Sequence, residues 1–182
     1  MDIYTTLSTT RIKKICKKVG IKNVNSLVPE EVRGEMNKFL EQFLRRIITV
    51  TQYFDKQTIS VNHIYLATNN FLLLGDKKIP RCNDNKKKIC LEFSKSSFKG
   101  LIKQIINDEQ YGRPKDILKN SKFSYNNPVI GDDASQLIQY YTEQYITKIL
   151  EEAKLVMKNS RRHTIYPRDI KLTIKISGDI KD

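Results

Sequence analysis

The sequence is poor in the residues on which most enzymatic and secreted architectures depend. Its 182 residues hold three cysteines, two histidines and seven glycines, and 20 acidic residues stand against 33 basic ones. Cys16, Cys82 and Cys90 are odd in number and widely spaced, with no Cys-x-x-Cys pair. Neither a zinc site nor a disulfide framework is indicated. Cys16 falls in a helical apolar phase, as a small core residue does. No glycine-rich phosphate loop and no carboxylate or Ser/His constellation occurs, and His63 and His163 are the only histidines. Catalysis, a bound metal and a cofactor are therefore not expected. The N-terminus lacks an apolar run of signal-peptide length, and Leu72-Leu73-Leu74 is far too short to span a bilayer. The expectation is a soluble protein of a reducing compartment, with no membrane partner.

What the chain does have is positive charge. A formal net charge of +13 favours an anionic partner, nucleic acid first, although excess lysine can also serve solubility alone. An apolar fraction of 39% can supply a core. Half of a chain this short would bury little by itself, which points to mutual burial of two parts.

A repeat supports that division. Thr58-Ile59-Ser60-Val61-Asn62-His63-Ile64-Tyr65-Leu66 returns 106 residues later as Thr164-Ile165-Tyr166-Pro167-Arg168-Asp169-Ile170-Lys171-Leu172. Both copies read Thr-Ile, four varied residues, then Ile-x-Leu, and a long amphipathic segment precedes each. In the first half, Ile12, Ile15, Cys16 and Val19 share a helical face behind a Thr10 cap, and Gly20 ends that helix. Pro29, Glu30 and Glu31 suit the first turn of a long helix. Its apolar phase runs from Val32 through Met36, Phe39, Leu40, Phe43, Leu44, Ile47 and Ile48 to Phe54. Gln57-Thr58-Ile59 reads as extended, and Ser60 caps a third helix to about Asn70. The second half repeats the plan: a short helix capped by Ser97, a long one capped by Asp132 or Asp133, and a last one opening at Pro167. Residues 1–74 and 97–182 thus form two units, joined by a linker at 75–96 and with an insertion at about 111–131. The fold class is all-α. Each long helix stops at a Thr-Ile turn, which favours a crossed pair over an unbroken coiled coil.

At this point the residues resemble core histones. Gly20-Ile21-Lys22 through Leu27, Glu30-Glu31-Val32-Arg33-Gly34, Phe39-Leu40-Glu41 and Thr58-Ile59-Ser60 resemble histone four. Ser97-Phe98, Leu101-Ile102, Glu151 through Arg162 and Thr164-Ile165-Tyr166-Pro167-Arg168-Asp169-Ile170 resemble the end of histone three. A fused pair in this order is similar to the histone doublets of large DNA viruses; a fused archaeal-type histone fits the two distinct halves less well. The resemblance implies two histone folds, each short-long-short, paired within one chain as an intramolecular handshake dimer. It also implies binding to double-stranded DNA through phosphate contacts without base readout. The implied setting is a nucleosome-like particle compacting a genome: in a virion, host nucleus or viral factory if viral, and in a nucleus or nucleoid otherwise.

Residue by residue, the resemblance places DNA contacts at Arg11, Lys13, Lys14 and Lys17 on the first helix, at Lys22 in the first loop, and at Lys56 and Thr58 in the second. In the other half it places them at Lys95, Lys103, Arg161, Arg162 and Thr164. Asn23, Gln57 and Gly100 stand where the family has basic residues, Asn23 at a minor-groove arginine. The second minor-groove arginine falls inside the insertion, where Arg113, Lys115, Lys119 or Lys122 can substitute. Arg162 and Asp169 match the family's structural clamp. Lys56 and His63 hold those places in the first half, so the clamp is absent there and His63 is expected to be solvated or capping. Val156, Asn159, Asp169, Leu172 and Ile176 match the surface that joins two histone-three units, implying a second copy as partner; Leu172 and Ile176 read equally well as core. Arg46, Tyr53, Leu66 and Asn70 depart from the joint through which histone four holds a further histone pair, which puts a conventional second pair in doubt. Only about ten residues precede the first helix, so no long N-terminal tail is expected. A site-specific transcription or chromatin subunit and a protein-interaction scaffold are the competing functions.

Overall fold

The first helix, α1 (Thr9–Lys18), begins at Ser8, whose hydroxyl accepts the Thr10 N–H at 3.3 Å. The cap is thus two residues earlier than Thr10, because the hydroxyl must reach an amide in the first turn. The chain is described by a computed structural model covering residues 8–68, 91–111 and 128–177. Ile12, Ile15 and Cys16 are buried on one face of α1, and burial raises the Cys16 thiol pKa to about 11. The helix ends in a Schellman turn: Gly20, at φ +84°, donates to Lys17 O, and Ile21 donates to Cys16 O. Ile21 is buried there, so the turn also closes the core.

A two-residue strand, β1 (Asn23–Val24), leads to the long helix α2 (Val28–Tyr53). After it come β2 (Thr58–Ile59) and α3 (Val61–Thr68). The second unit comprises α4 (Lys95–Tyr111), β3 (Val129–Ile130), α5 (Asp132–Asn159), β4 (Thr164–Ile165) and α6 (Pro167–Ser177). Both units therefore follow one plan, although α4, at 17 residues, is longer than the short helix expected. It starts before Ser97, because the Ser94 hydroxyl takes the capping role and accepts the Ser97 N–H at 3.2 Å. At α5 the N-cap is Gly131, which lacks a side chain to cap with. Asp132 and Asp133 lie inside the first turn, where they favour the positive end of the dipole. Residues 75–90 of the expected linker and 112–127 of the expected insertion lie outside the described residues, as does Asn70.

The 106-residue shift persists in backbone detail. Asp55 (φ 53°) and Arg161 (φ 52°) both take the left-handed conformation after a long helix. Each closes a Schellman turn, with Lys56 donating to Thr51 O and Arg162 to Met157 O. A β-carbon is strained in that region, so two such residues at equivalent places mark one loop built twice.

The units pack through their long helices. Phe39 stacks on Tyr145 with ring centroids 4.0 Å apart and planes 11° from parallel, and Phe43 meets Tyr141 edge-on at 5.8 Å. Phe39 and Tyr145 are themselves related by the 106-residue shift. Their stack therefore sits where an approximate two-fold axis would pass. The crossing brings loops of opposite units side by side as parallel strand pairs. β1 pairs with β4 (Asn23 with Thr164), and β2 pairs with β3 (Thr58 with Val129). Polar anchors reinforce the join. Lys154 donates to Val19 O at 2.7 Å, satisfying a carbonyl at the end of α1. Within the second unit the buried Glu143 carboxylate accepts the N–H groups of Glu92 and Phe93 at 2.9–3.0 Å, and Gln139 donates to Phe93 O at 2.9 Å, which holds the segment before α4 onto α5. Glu92 also pairs with Lys18, and Lys171 pairs with Glu31 at 3.4 Å.

Fragments 1–90 and 91–182 should each be largely unfolded alone and gain helix on mixing, as circular dichroism would report. Phe39→Ala should cost about 3–5 kcal/mol in the intact chain and weaken recovery from the fragments. Two fragments that are each stable as monomers would overturn the mutual-burial account.

Candidate nucleic-acid interface

Strand pairing decides which basic residues meet. At the β1–β4 end, the register that sets Asn23 beside Thr164 brings Lys22 of the first unit against Arg161, Arg162 and His163 of the second. Lys22 and Arg161 are exposed, while Arg162 and Thr164 are partly buried. The other end places Lys56 and Thr58, both exposed, against residues 128–130, with the Val129 N–H bonded to Gln57 O at 2.9 Å. Arg113, Lys115, Lys119 and Lys122 lie outside the described residues. On α1 the exposed Arg11, Lys13, Lys14 and Lys17 alternate with the buried Ile12, Ile15 and Cys16, so amphipathicity itself turns the cations outward. Lys95 and Lys103 are likewise exposed on α4.

Not every cation is equally available to an anion. Arg162 gives Nη1 and Nη2 to Asp169, at 3.1 and 2.6 Å, in a two-pronged ion pair. Asp169 in turn accepts the Tyr166 N–H at 2.9 Å, which caps α6. Burial opposes ionisation of Asp169. The Arg162 and Tyr166 hydrogen bonds, with the charges of Arg162 and Arg168, outweigh it and hold this carboxyl below its ordinary range. Arg162 therefore acts first as the brace of its loop. Arg168 is a cation that pattern reading passed over. It is exposed and lies 5.4 Å from the Tyr166 ring centroid, the same distance as Arg162 on that ring. Its signal was the basic position in the Thr-Ile-x-Pro-basic-Asp-Ile string, read there as a marker and not as a contact.

The first unit lacks that brace. Lys56 is exposed, and His63 is buried in place of Asp169. His63 still serves as a cap: its Nδ1 lies 3.3 Å from the Ser60 N and 3.2 Å from Thr51 Oγ1, and its ring stacks on Phe54. The solvated alternative is excluded; the capping one holds.

Among the residues expected at a self-association surface, Ile176 is 72% exposed and Leu172 45%, which removes the reading of both as core. Asn159 is exposed and Val156 half-buried. Asp169 differs: it is buried, with its carboxylate engaged inside the chain, so it braces this surface from behind and does not line it. Leu155, also exposed, joins the patch.

The core histone domain family, whose model spans all four core histone classes, matches residues 77–176, more than half of the chain. The chain belongs to the core histone family. Proteins of that family are structural and bind DNA. A curated relative, histone H4 of Entamoeba histolytica, is 26% identical over 66 residues, 36% of this chain and 56% of the relative. The chain thus spans about half the length of the curated relative it matches. Among solved structures, the histone from Methanopyrus kandleri superposes with a TM-score of 0.66 over 94% of this chain and 95% of the other, at 13% identity. At that identity the likeness is one of fold, and it extends over both units of this histone.

The Asp169 brace predicts a pH dependence. A carboxyl whose folded pKa is depressed adds stability above its unfolded value, near 3.9, and loses it as pH falls through the folded pKa. Asp169→Asn should lower the thermal midpoint by a nearly constant amount between about pH 8 and 5. The gap should close below about pH 4. A gap that stays open in acid would assign the loss to packing instead.

Proposed function

We propose that this histone is a doublet that packages DNA without sequence preference, two or more copies together wrapping and compacting a genome. The observation that carries the reading is the cross-unit pairing at β1–β4, which gathers Lys22, Arg161 and Thr164 from distant parts of the sequence at one end. The exposed cations of α1 and α4 extend the basic surface. The contacts proposed are Arg11, Lys13, Lys14, Lys17, Lys22, Lys56, Thr58, Lys95, Lys103, Arg161 and Thr164, with Arg162 bracing and Arg168 added. Such residues, with backbone N–H groups, engage phosphate and leave the base edges unread. The fused order, histone-four-like then histone-three-like, is what supports a viral genome as the DNA.

Assembly in this proposal runs through the α5/α6 surface of Leu155, Val156, Asn159, Leu172 and Ile176. Leu172→Glu would set an unpaired charge in the joint. The variant should stay folded, since Leu172 lies outside the core, yet sediment as a single chain and protect a shorter stretch of DNA. Assembly of wild-type mass by this variant would show that the surface is wrong.

Electrostatic binding has a measurable signature. For roughly six to ten phosphate contacts, log affinity should fall with log salt at a slope of about −5 to −9. Changing Lys13, Lys14 and Lys17 together to Gln should flatten the slope on every DNA sequence tested. A loss confined to one sequence would favour a site-specific subunit.

A further inference from the structure

Two shifts relate the units, and together they single out one place on α2. The short helices match at a shift of 86 residues. Ser8 caps α1 and Ser94 caps α4, and the buried Ile12, Ile15 and Cys16 stand where α4 has the buried Phe98, Leu101 and Ile102. The long helices match at 106, which sets Arg33 and Asn37 on α2 at the places of Gln139 and Glu143 on α5. In the second unit that pair clasps the backbone just before α4. Gln139 Nε2 donates to Phe93 O, and the Glu143 carboxylate accepts the Glu92 and Phe93 N–H groups. Phe93 is buried against Phe98, ring centroids 6.3 Å apart, the apolar staple that fixes how a chain enters a helix. The first unit keeps the same chemistry, a donor one helical turn before an acceptor, and α1 packs on α2 as α4 packs on α5. Yet Arg33 Nε and Asn37 Oδ1 are both buried with no hydrogen-bond partner. Folded proteins leave few buried polar atoms in that condition. Two of them, where the other unit holds a strap, mark a seat for extended backbone.

We propose that this seat on α2 takes the chain's own segment ahead of α1, with Leu7 in the role of Phe93. The cap sets the occupant. Ser8 begins α1 as Ser94 begins α4, so Thr5-Thr6-Leu7 stand at the register of Leu91-Glu92-Phe93. In that register the Arg33 Nε–H donates to Leu7 O, and Asn37 Oδ1 accepts the Leu7 N–H. Leu7 and Ile12 are also spaced as the two members of an apolar staple, the place that Phe93 and Phe98 fill in the other unit. Glu143 has two oxygens and takes two amides, whereas Asn37 has one carbonyl oxygen and takes one. The ion pair of Glu92 with Lys18 has no counterpart at Thr6. The first strap is therefore the weaker of the two. Its effect falls on α1: a fixed residue before the cap limits fraying of the first turn. That turn leads into Arg11, Lys13 and Lys14, so the segment acts as a fastening for a basic helix and not as a free arm.

Amide hydrogen exchange in the full-length chain without DNA, resolved residue by residue, tests this. The Leu7 amide should exchange about tenfold more slowly than in a free peptide of residues 1–11. Asn37→Val removes the acceptor and Arg33→Met the donor, and each should bring Leu7 towards the free-peptide rate. Asn37→Glu, which copies the second unit, should keep Leu7 protected and extend protection to the Thr6 amide. Amides in the middle of α2 and α5 should stay protected in every variant, which excludes misfolding as the cause. If Asn37→Val and Arg33→Met lose that protection, Asn37→Glu decides alone: a slower Thr6 amide supports the strap, and an unchanged one overturns it. A wild-type Leu7 amide that exchanges at the free-peptide rate overturns it as well. So does protection that survives both Asn37→Val and Arg33→Met, since the segment would then be held elsewhere. Protection that grows with protein concentration would assign the seat to a second copy's segment and sink the proposal too.

Discussion

A helix of 26 residues with apolar side chains at every third and fourth position cannot cover its own stripe, and α2 covers it against α1 and α3 of its own unit and against α5 of the other. The contact is made where the stripes cross, at Phe39 on Tyr145 and Phe43 on Tyr141. Such ring pairs combine large apolar burial with a preferred geometry, so they fix the angle as well as the strength of the crossing. The shorter helices then fill what the crossing leaves open: α1 with Ile12 and Ile15, α4 with Phe98 and Leu101, α3 with Ile64 and α6 with Ile170. Neither unit has a separate core to retreat to. The buried residues form one cluster that runs through both.

The same crossing sets the surface proposed to meet DNA. Two long helices crossing near their middles bring the start of one unit to the finish of the other, and the loops there pair as β1–β4 and β2–β3. The β1–β4 end brings together Lys22 and Arg161, proposed DNA contacts more than a hundred positions apart that neither unit could assemble alone. Their backbones are pinned by a ladder and by left-handed turns, so little chain entropy remains to be lost on binding. Folding and the geometry of the proposed DNA surface are in this sense one constraint.

The periodic part of this was legible in the sequence. Helical phase from Val32 to Thr51, the Thr-Ile turns and the Pro167 start all declare themselves locally, because burial repeats with the helix and turns need particular residues. Helix starts were less legible: Ser8 and Thr10, or Ser94 and Ser97, are equally good caps in isolation, and only the final backbone path chooses between them. The long-range polar anchors were not legible at all. Glu143 holding the Glu92 and Phe93 amides, and Lys154 holding Val19 O, join residues far apart in the chain, and no local pattern distinguishes them from surface charges. The surface cations were found because they match family positions. The two-pronged engagement of Arg162 and the stacking of Arg168 on Tyr166 depend on side-chain geometry that a pattern does not carry.

Two units encoded at separate places in one chain are free to differ. Two identical units would have to carry the same residue at every equivalent place, so a brace such as Arg162–Asp169 would appear twice or not at all. Here it appears once, and its counterpart is an exposed Lys56 with a buried His63 that caps by ring nitrogen. The two loop ends accordingly differ in stiffness, one cross-braced by an ion pair and one held by stacking and a weaker cap. The exchange of Arg45-Arg46 for Glu151-Glu152 is the same freedom expressed on the surface.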